Sequence, residues 1–170
     1  MKIERGFTLL ELLVTLAVAG VLLTVAVPSF KTTITNNRQI AQTNELLGSL
    51  MYARSEAITE NKSAVICAST DGSTCGADWS QGWIVYSSAD ASKILRSHSA
   101  LDGGNKLYDG TIGSSITFNS NGTSTASGTF TLCDSRGSSE AHAIGLSATG
   151  IARASQTVGK DLTGIALSCP

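Results

Sequence analysis

From Phe7 to Val27 the only ionisable side chain is Glu11, and this apolar run constrains the 170-residue chain more than any other feature. About 20 such residues are enough to cross the hydrocarbon core of a bilayer as a helix. The other interruptions, Thr8, Thr15, Gly20 and Thr24, carry no charge. The expected structure is therefore a helix that begins in a membrane. Lys2 and Arg5 precede it, so by the positive-inside bias the amino-terminal end stays cytoplasmic and the remainder is exported.

A carboxylate at the centre of a membrane helix costs roughly 2.5–3.5 kcal/mol on insertion scales, and less near an end. Glu11 either reaches the interface one or two turns into the helix or meets a cation. Cleavage between Gly6 and Phe7 would create that cation as a new amino terminus. It would lie four residues before Glu11, about 6 Å along a helix, where an axially staggered neighbour could present it. The competing reading is a secretory signal peptide cut at Ala17-Val18-Ala19, which has to place Glu11 inside a short apolar region.

The order Gly6-Phe7-Thr8-Leu9-Leu10-Glu11, with Lys2 and Arg5 ahead and Pro28 closing the apolar run, resembles the class III leader of type IV pilins. The resemblance implies that a prepilin peptidase cuts after Gly6, methylates the Phe7 amine and leaves the apolar segment on the protein. It also implies that Glu11 serves subunit assembly. On this reading residues 1–6 are the leader, 7–28 a transmembrane helix in inner-membrane lipid, and 29–61 an amphipathic continuation. Residues 62–170 form a β-rich periplasmic or extracellular domain.

Four cysteines, Cys67, Cys75, Cys133 and Cys169, suit an oxidising compartment, and none forms the C-x-x-C spacing of a zinc or redox site. Four cysteines allow three pairings. The pairing expected here is Cys67 with Cys75, closing a short loop, and Cys133 with Cys169, tying the last residues to the body.

Beyond Pro28, which should kink the helix, Leu46, Leu47, Leu50, Met51, Ala57 and Ile58 recur near the helical period. Leu47, Leu50 and Met51 are expected in the core, and Asn61 is the expected stop. After it the period becomes strand-like in Ala64-Cys67, Trp83-Tyr86, Ile94-Ser97, Ile116-Phe118, Thr129-Cys133, Ala143-Ser147, Ile151-Ala154 and Thr163-Leu167. Asn119-Ser120-Asn121-Gly122 has the chemistry of a hairpin connection, and the Ser/Thr/Gly run to Gly128 is expected to make it a mobile loop. The fold class is α+β, a long amino-terminal helix packed on a mostly antiparallel β domain.

Ala53-Arg54-Ser55-Glu56-Ala57, then Cys67, Asp71-Gly72, Cys75 and Gly82-Trp83-Ile84-Val85-Tyr86, resemble the GspH/FimT/FimU family of minor pilins and pseudopilins. The resemblance implies a minor pilin in the initiating or tip complex of a type IV pilus, with other major and minor pilins as partners. Two alternatives come with it: a GspH-type pseudopilin of a type II secretion system, and a FimT-like subunit that binds DNA through a Gly-Arg-x-Arg element. Here that element reads Gly150-Ile151-Ala152-Arg153, so only Arg153 carries over. Lys160 and Arg136 could join it. Beyond residue 61, seven Lys and Arg face eight Asp and Glu, which leaves no bulk attraction for phosphate and implies weak, salt-sensitive binding.

No G-x-S-x-G, S-x-x-K, Walker or H-E-x-x-H motif is present, and His98 and His142 are isolated in sequence. The chain is read as a non-enzyme with no catalytic residue, no cofactor and no metal site.

Overall fold

A computed structural model describes residues 7–170, which divide after Asn37 into two compact units. The expected cleavage residue Gly6 and the cations Lys2 and Arg5 lie outside the described residues.

One helix, α1 (Leu9–Thr59), runs through both units and continues through Pro28. In the first unit Thr15 Oγ1 donates to the Leu12 carbonyl at 2.8 Å, and Thr24 Oγ1 to the Val21 carbonyl at 2.7 Å. These two hydroxyls of the apolar run are thus satisfied by the helix itself. The helix ends where Asn61 turns to φ 50. There Asn61 N donates to the Ile58 carbonyl and Lys62 N to the Ala57 carbonyl, the paired bonds of a Schellman stop.

In the second unit two four-stranded antiparallel sheets follow. The first has the order β3 (Asp90–His98), β2 (Trp83–Ser87), β1 (Ala64–Ala68), β5 (Ser115–Phe118). The second is ordered β4 (Lys106–Tyr108), β6 (Gly128–Cys133), β7 (His142–Leu146), β8 (Ala152–Ala154). Leu46, Leu50, Ala53 and Ala57 of α1 join Ile66, Trp83, Val85, Ile116 and Phe118 of the first sheet and Phe130, Leu132, Ile144 and Leu146 of the second in one core. The two alanines are fully buried, and their short side chains let strands lie close to the helix. Trp79 ties the second sheet to the loop before β5: its ring meets Phe130 edge to face at 5.0 Å, and its Nε1 donates to the Gly113 carbonyl at 3.0 Å.

Several expectations are corrected. Met51 is exposed rather than in the core, because the buried face of α1 runs through Leu46, Leu50, Ala53 and Ala57. Thr163–Leu167 forms no strand; its one β-type contact is an isolated bridge between Lys160 and Ala166. Lys106–Tyr108, too short and mixed to stand out by period, is a strand because it pairs with β6. Asn119–Gly122 does reverse the chain, with Asn119 N donating to the Thr123 carbonyl, yet the strands on either side enter different sheets. The run that follows is held in place: Ser124 N donates to the Ala148 carbonyl and Thr125 N to the Thr117 carbonyl.

Candidate functional site

At the start of α1 the Glu11 amide donates to Thr8 Oγ1 at 3.2 Å. Thr8 caps the helix and Glu11 occupies its third position, the T-x-x-E arrangement of a capping box. Thr8 is therefore a residue that the sequence reading passed over, although the pattern of threonine three residues before glutamate was there to find it. Glu11 also sits in the first helical turn, where the positive end of the helix dipole favours an anion. Its carboxylate is exposed, and among the described residues it forms no ion pair. Phe7, Leu9, Leu10, Leu12 and Leu13 are likewise exposed, and none of the most apolar 18-residue stretch of the helix is buried. This segment presents one carboxylate on an apolar rod.

Two disulfides join Cys67 to Cys75 and Cys133 to Cys169, with Cα atoms 5.6 and 6.0 Å apart. The first lies on the face of β1 and β2 opposite the core, since Cys67 pairs with Ile84. The second draws the carboxy terminus to the end of β6. There the Pro170 carbonyl also accepts from the Tyr108 hydroxyl at 3.0 Å.

The three cations considered for phosphate contact have different surroundings. Arg136 is committed within the domain: Nη2 and Nε donate to Asp134 Oδ2 at 2.7 and 2.9 Å, Nη1 to Glu140 at 3.3 Å, and Nη2 to Gln39 Oε1 at 3.3 Å. The Asp134 side chain is only 2% exposed, and the Arg136 guanidinium holds its carboxyl below the ordinary value against the opposing effect of burial. A phosphate approaching the Arg136 guanidinium would compete with these two carboxylates. Arg153 is exposed on β8, facing a groove of about 450 Å³ shared with Asp161, Leu162 and Ile151. Hydrogen bonds from Thr163 and Ile165 hold the Asp161 carboxyl below its ordinary value, so an anion stands in that groove at neutral pH. Lys160 is exposed in the tail that follows.

His98 is not isolated in space. Its ring stacks on Trp83 with centroids 4.0 Å apart, Nε2 lies 2.8 Å from Glu45 Oε2, and Nδ1 lies 2.6 Å from the Ser99 carbonyl. It fastens the end of β3 to α1. His142 is half-buried beside Arg136 and Glu140. No group of three His, Cys, Asp or Glu side chains suited to a metal occurs among the described residues.

The family model described as type II transport protein GspH matches residues 42–150, and the prokaryotic N-terminal methylation motif matches residues 1–27. The solved type IV minor pilin FimU of Pseudomonas aeruginosa is similar at 25% identity and a TM-score of 0.57, covering 71% of this chain and 95% of its own. A second crystal form of FimU gives 26% identity and 0.52, with 66% and 88% covered. The minor pseudopilin EpsH of the Vibrio cholerae type II secretion system shares the fold at 12% identity and 0.52, with 69% and 96% covered. No curated protein matches the chain closely enough to count as a relative.

Proposed function

The chain belongs to the GspH family and carries the prokaryotic methylation motif, and on that premise we propose that it is a minor pilin of a type IV pilus, placed in the initiating or tip complex. Proteins of this class are structural and assemble with other pilins into fibres. The observation that favours the pilus over a secretion pseudopilus is the difference in identity, 25% to the pilus protein FimU against 12% to EpsH at nearly equal coverage.

In this reading a prepilin peptidase cuts after Gly6 and methylates Phe7, and the apolar part of α1 waits in inner-membrane lipid with the domain periplasmic. On assembly the helix leaves the lipid for the fibre core, where Glu11 meets the amino terminus of a neighbouring subunit. Pairing there removes the cost of an isolated carboxylate in an apolar surrounding.

DNA uptake is the weaker reading. Arg136 is occupied, Ile151 stands where the FimT-like element has its first arginine, and Asp161 shares the groove of Arg153.

Deletion of the gene, followed by assays of surface pili, secreted enzymes and transformation, separates the three readings. Loss of pili with secretion intact is expected. Mass spectrometry of the mature protein should find a chain starting at methylated Phe7, and a start at Gly20 would overturn the leader assignment. Glu11→Leu should leave cleavage and domain folding intact while lowering the amount of protein in sheared fibres.

A further inference from the structure

The turn after β5 reads Asn119-Ser120-Asn121-Gly122-Thr123, and its last three residues have the asparagine-x-threonine order at which exported chains accept a glycan on asparagine. That order is common, so its setting decides what it means. Asn119 N donates to the Thr123 carbonyl and Gly122 N to the Asn119 carbonyl, both at 2.8 Å, and Arg54 Nε donates to the Gly122 carbonyl at 3.0 Å. The turn is therefore anchored through its backbone.

Thr123 N and Thr123 Oγ1 both donate to Asn121 Oδ1, at 3.1 and 2.7 Å. A backbone N–H can be met only by the carboxamide oxygen, so Nδ2 faces the other way. Asn121 is exposed, and its Nδ2 has no hydrogen-bond partner among the described residues. Asn119 Nδ2 donates to Thr123 Oγ1 at 2.9 Å, which leaves the hydroxyl proton for Asn121. The chain has one other triplet of this kind, Asn61-Lys62-Ser63. Asn61 is exposed at the helix stop with φ 50, but Ser63 makes no bond to its carboxamide.

We propose that Asn121 is a glycan attachment site, modified at Nδ2 by a transferase that draws on a lipid-diphosphate-linked sugar. The inference rests on the reading that the domain is exported. A carboxamide nitrogen is a poor nucleophile because its lone pair is delocalised into the carbonyl. Two donors aimed at Oδ1 favour the negative charge that this oxygen takes on as Nδ2 loses a proton. In the transfer Nδ2 bonds to C1 of the sugar, the bond from C1 to the diphosphate oxygen breaks, and the diphosphate leaves with its electron pair. The Nδ2 proton passes to a base of the transferase. No bond of the turn is lost, since Nδ2 holds none. Gly122 packs against Ile58, which is 45% exposed, so the attached sugar stands beside apolar surface at the end of α1.

The test follows the full-length chain from the cells that make it, in membrane and sheared-fibre fractions. Peptide mass mapping should find the Asn121 peptide heavier by whole sugar residues and the Asn61 peptide bare. Asn121→Asp keeps the oxygen that Thr123 bonds and removes the nitrogen, so it should abolish the added mass in a chain that is still exported with both disulfides. Thr123→Ser keeps the hydroxyl and should keep the sugar, and Thr123→Val should lose it. An exported chain with a bare Asn121 peptide would overturn the proposal and leave the export reading standing. So would sugar on Asn61, serine or threonine with Asn121 bare, or added mass that survives Asn121→Asp. A chain found only in the cytoplasm with its leader uncut would remove the export reading, and this assignment with it.

Discussion

Arg54 Nε donates to the Gly122 carbonyl oxygen at 3.0 Å, so a helix side chain holds the turn that follows β5. Gly150 completes the junction. It has φ +77, and a Cβ there would collide with the Gly122 carbonyl and come within 3.1 Å of Arg54 Nε. Helix, turn and tail loop meet at one point because two of the three contributors lack a side chain.

Gly150→Ala should therefore destabilise the domain by about 2–3 kcal/mol, since a positive-φ position costs about 1–3 kcal/mol for a residue with a Cβ and the collision adds to it. Gly104 provides the control. Its φ is +72 with nothing within 4 Å of the missing Cβ, so Gly104→Ala should cost about 1 kcal/mol from backbone strain alone. Urea denaturation of both variants checks the difference, and equal losses would show that the junction contributes nothing.

The cysteine bridges close loops of unequal length, with sequence separations of 8 and 36. In the chain-entropy model the longer loop is worth about 4 kcal/mol and the shorter about 2.5 kcal/mol. Cys169→Ser should accordingly lower stability more than Cys75→Ser. The order would reverse if the tail after Gly159 were held mainly by its hydrogen bonds, such as Leu167 N to the Gly159 carbonyl.

The helix and seven of the eight strands were legible because their patterns are local: a 3.6-residue recurrence from Leu46 to Ala57, and β-branched or aromatic runs such as Ile116-Thr117-Phe118. Met51 misled because two apolar faces overlap on one helix, and periodicity alone does not say which one the domain covers. Strand β4 was hidden because Lys106-Leu107-Tyr108 becomes a strand only through its partner β6. The same limit applied to the sites. Arg136 reads as a free cation in sequence, yet Gln39, 97 positions away, is one of its partners. His98 reads as isolated, and Glu45, 53 positions away, is bonded to it.

Acid should weaken the domain in two stages. Burial, aided by the Arg136 guanidinium, holds the His142 imidazole below its ordinary value of 6.5, with Glu140 and Asp134 acting in the opposite sense. A lowered value means that the unfolded chain takes up a proton that the native chain refuses. Stability is then unaffected above pH 6.5, falls as pH drops below it, and levels off beneath the native value. Asp134 acts later: its lowered carboxyl stabilises the fold above the ordinary 3.8, and that contribution disappears as pH falls further. Urea midpoints from pH 7.5 to 4.5 should decline in wild type and decline less in His142→Gln. Parallel curves would remove His142 as the cause.

Nucleic-acid affinity gives the clearest measure of how far the tail departs from a Gly-Arg-x-Arg element. Arg153 is the one cation of that element present, and Asp161 lines the same groove, so a phosphate there meets both charges. Arg136 is held by Asp134 and Glu140, which leaves Lys160 as the other nearby candidate. One or two phosphate contacts give weak binding without base preference, and its logarithm should fall linearly with the logarithm of salt at a slope near −1 to −2. Arg153→Ala should abolish most of it in titrations with duplex DNA. Ile151→Arg should raise affinity and steepen the salt slope by about 1, because it adds a cation at an exposed position two residues before Arg153. Tight wild-type binding at physiological salt that survives Arg153→Ala would place the phosphate surface elsewhere on the domain.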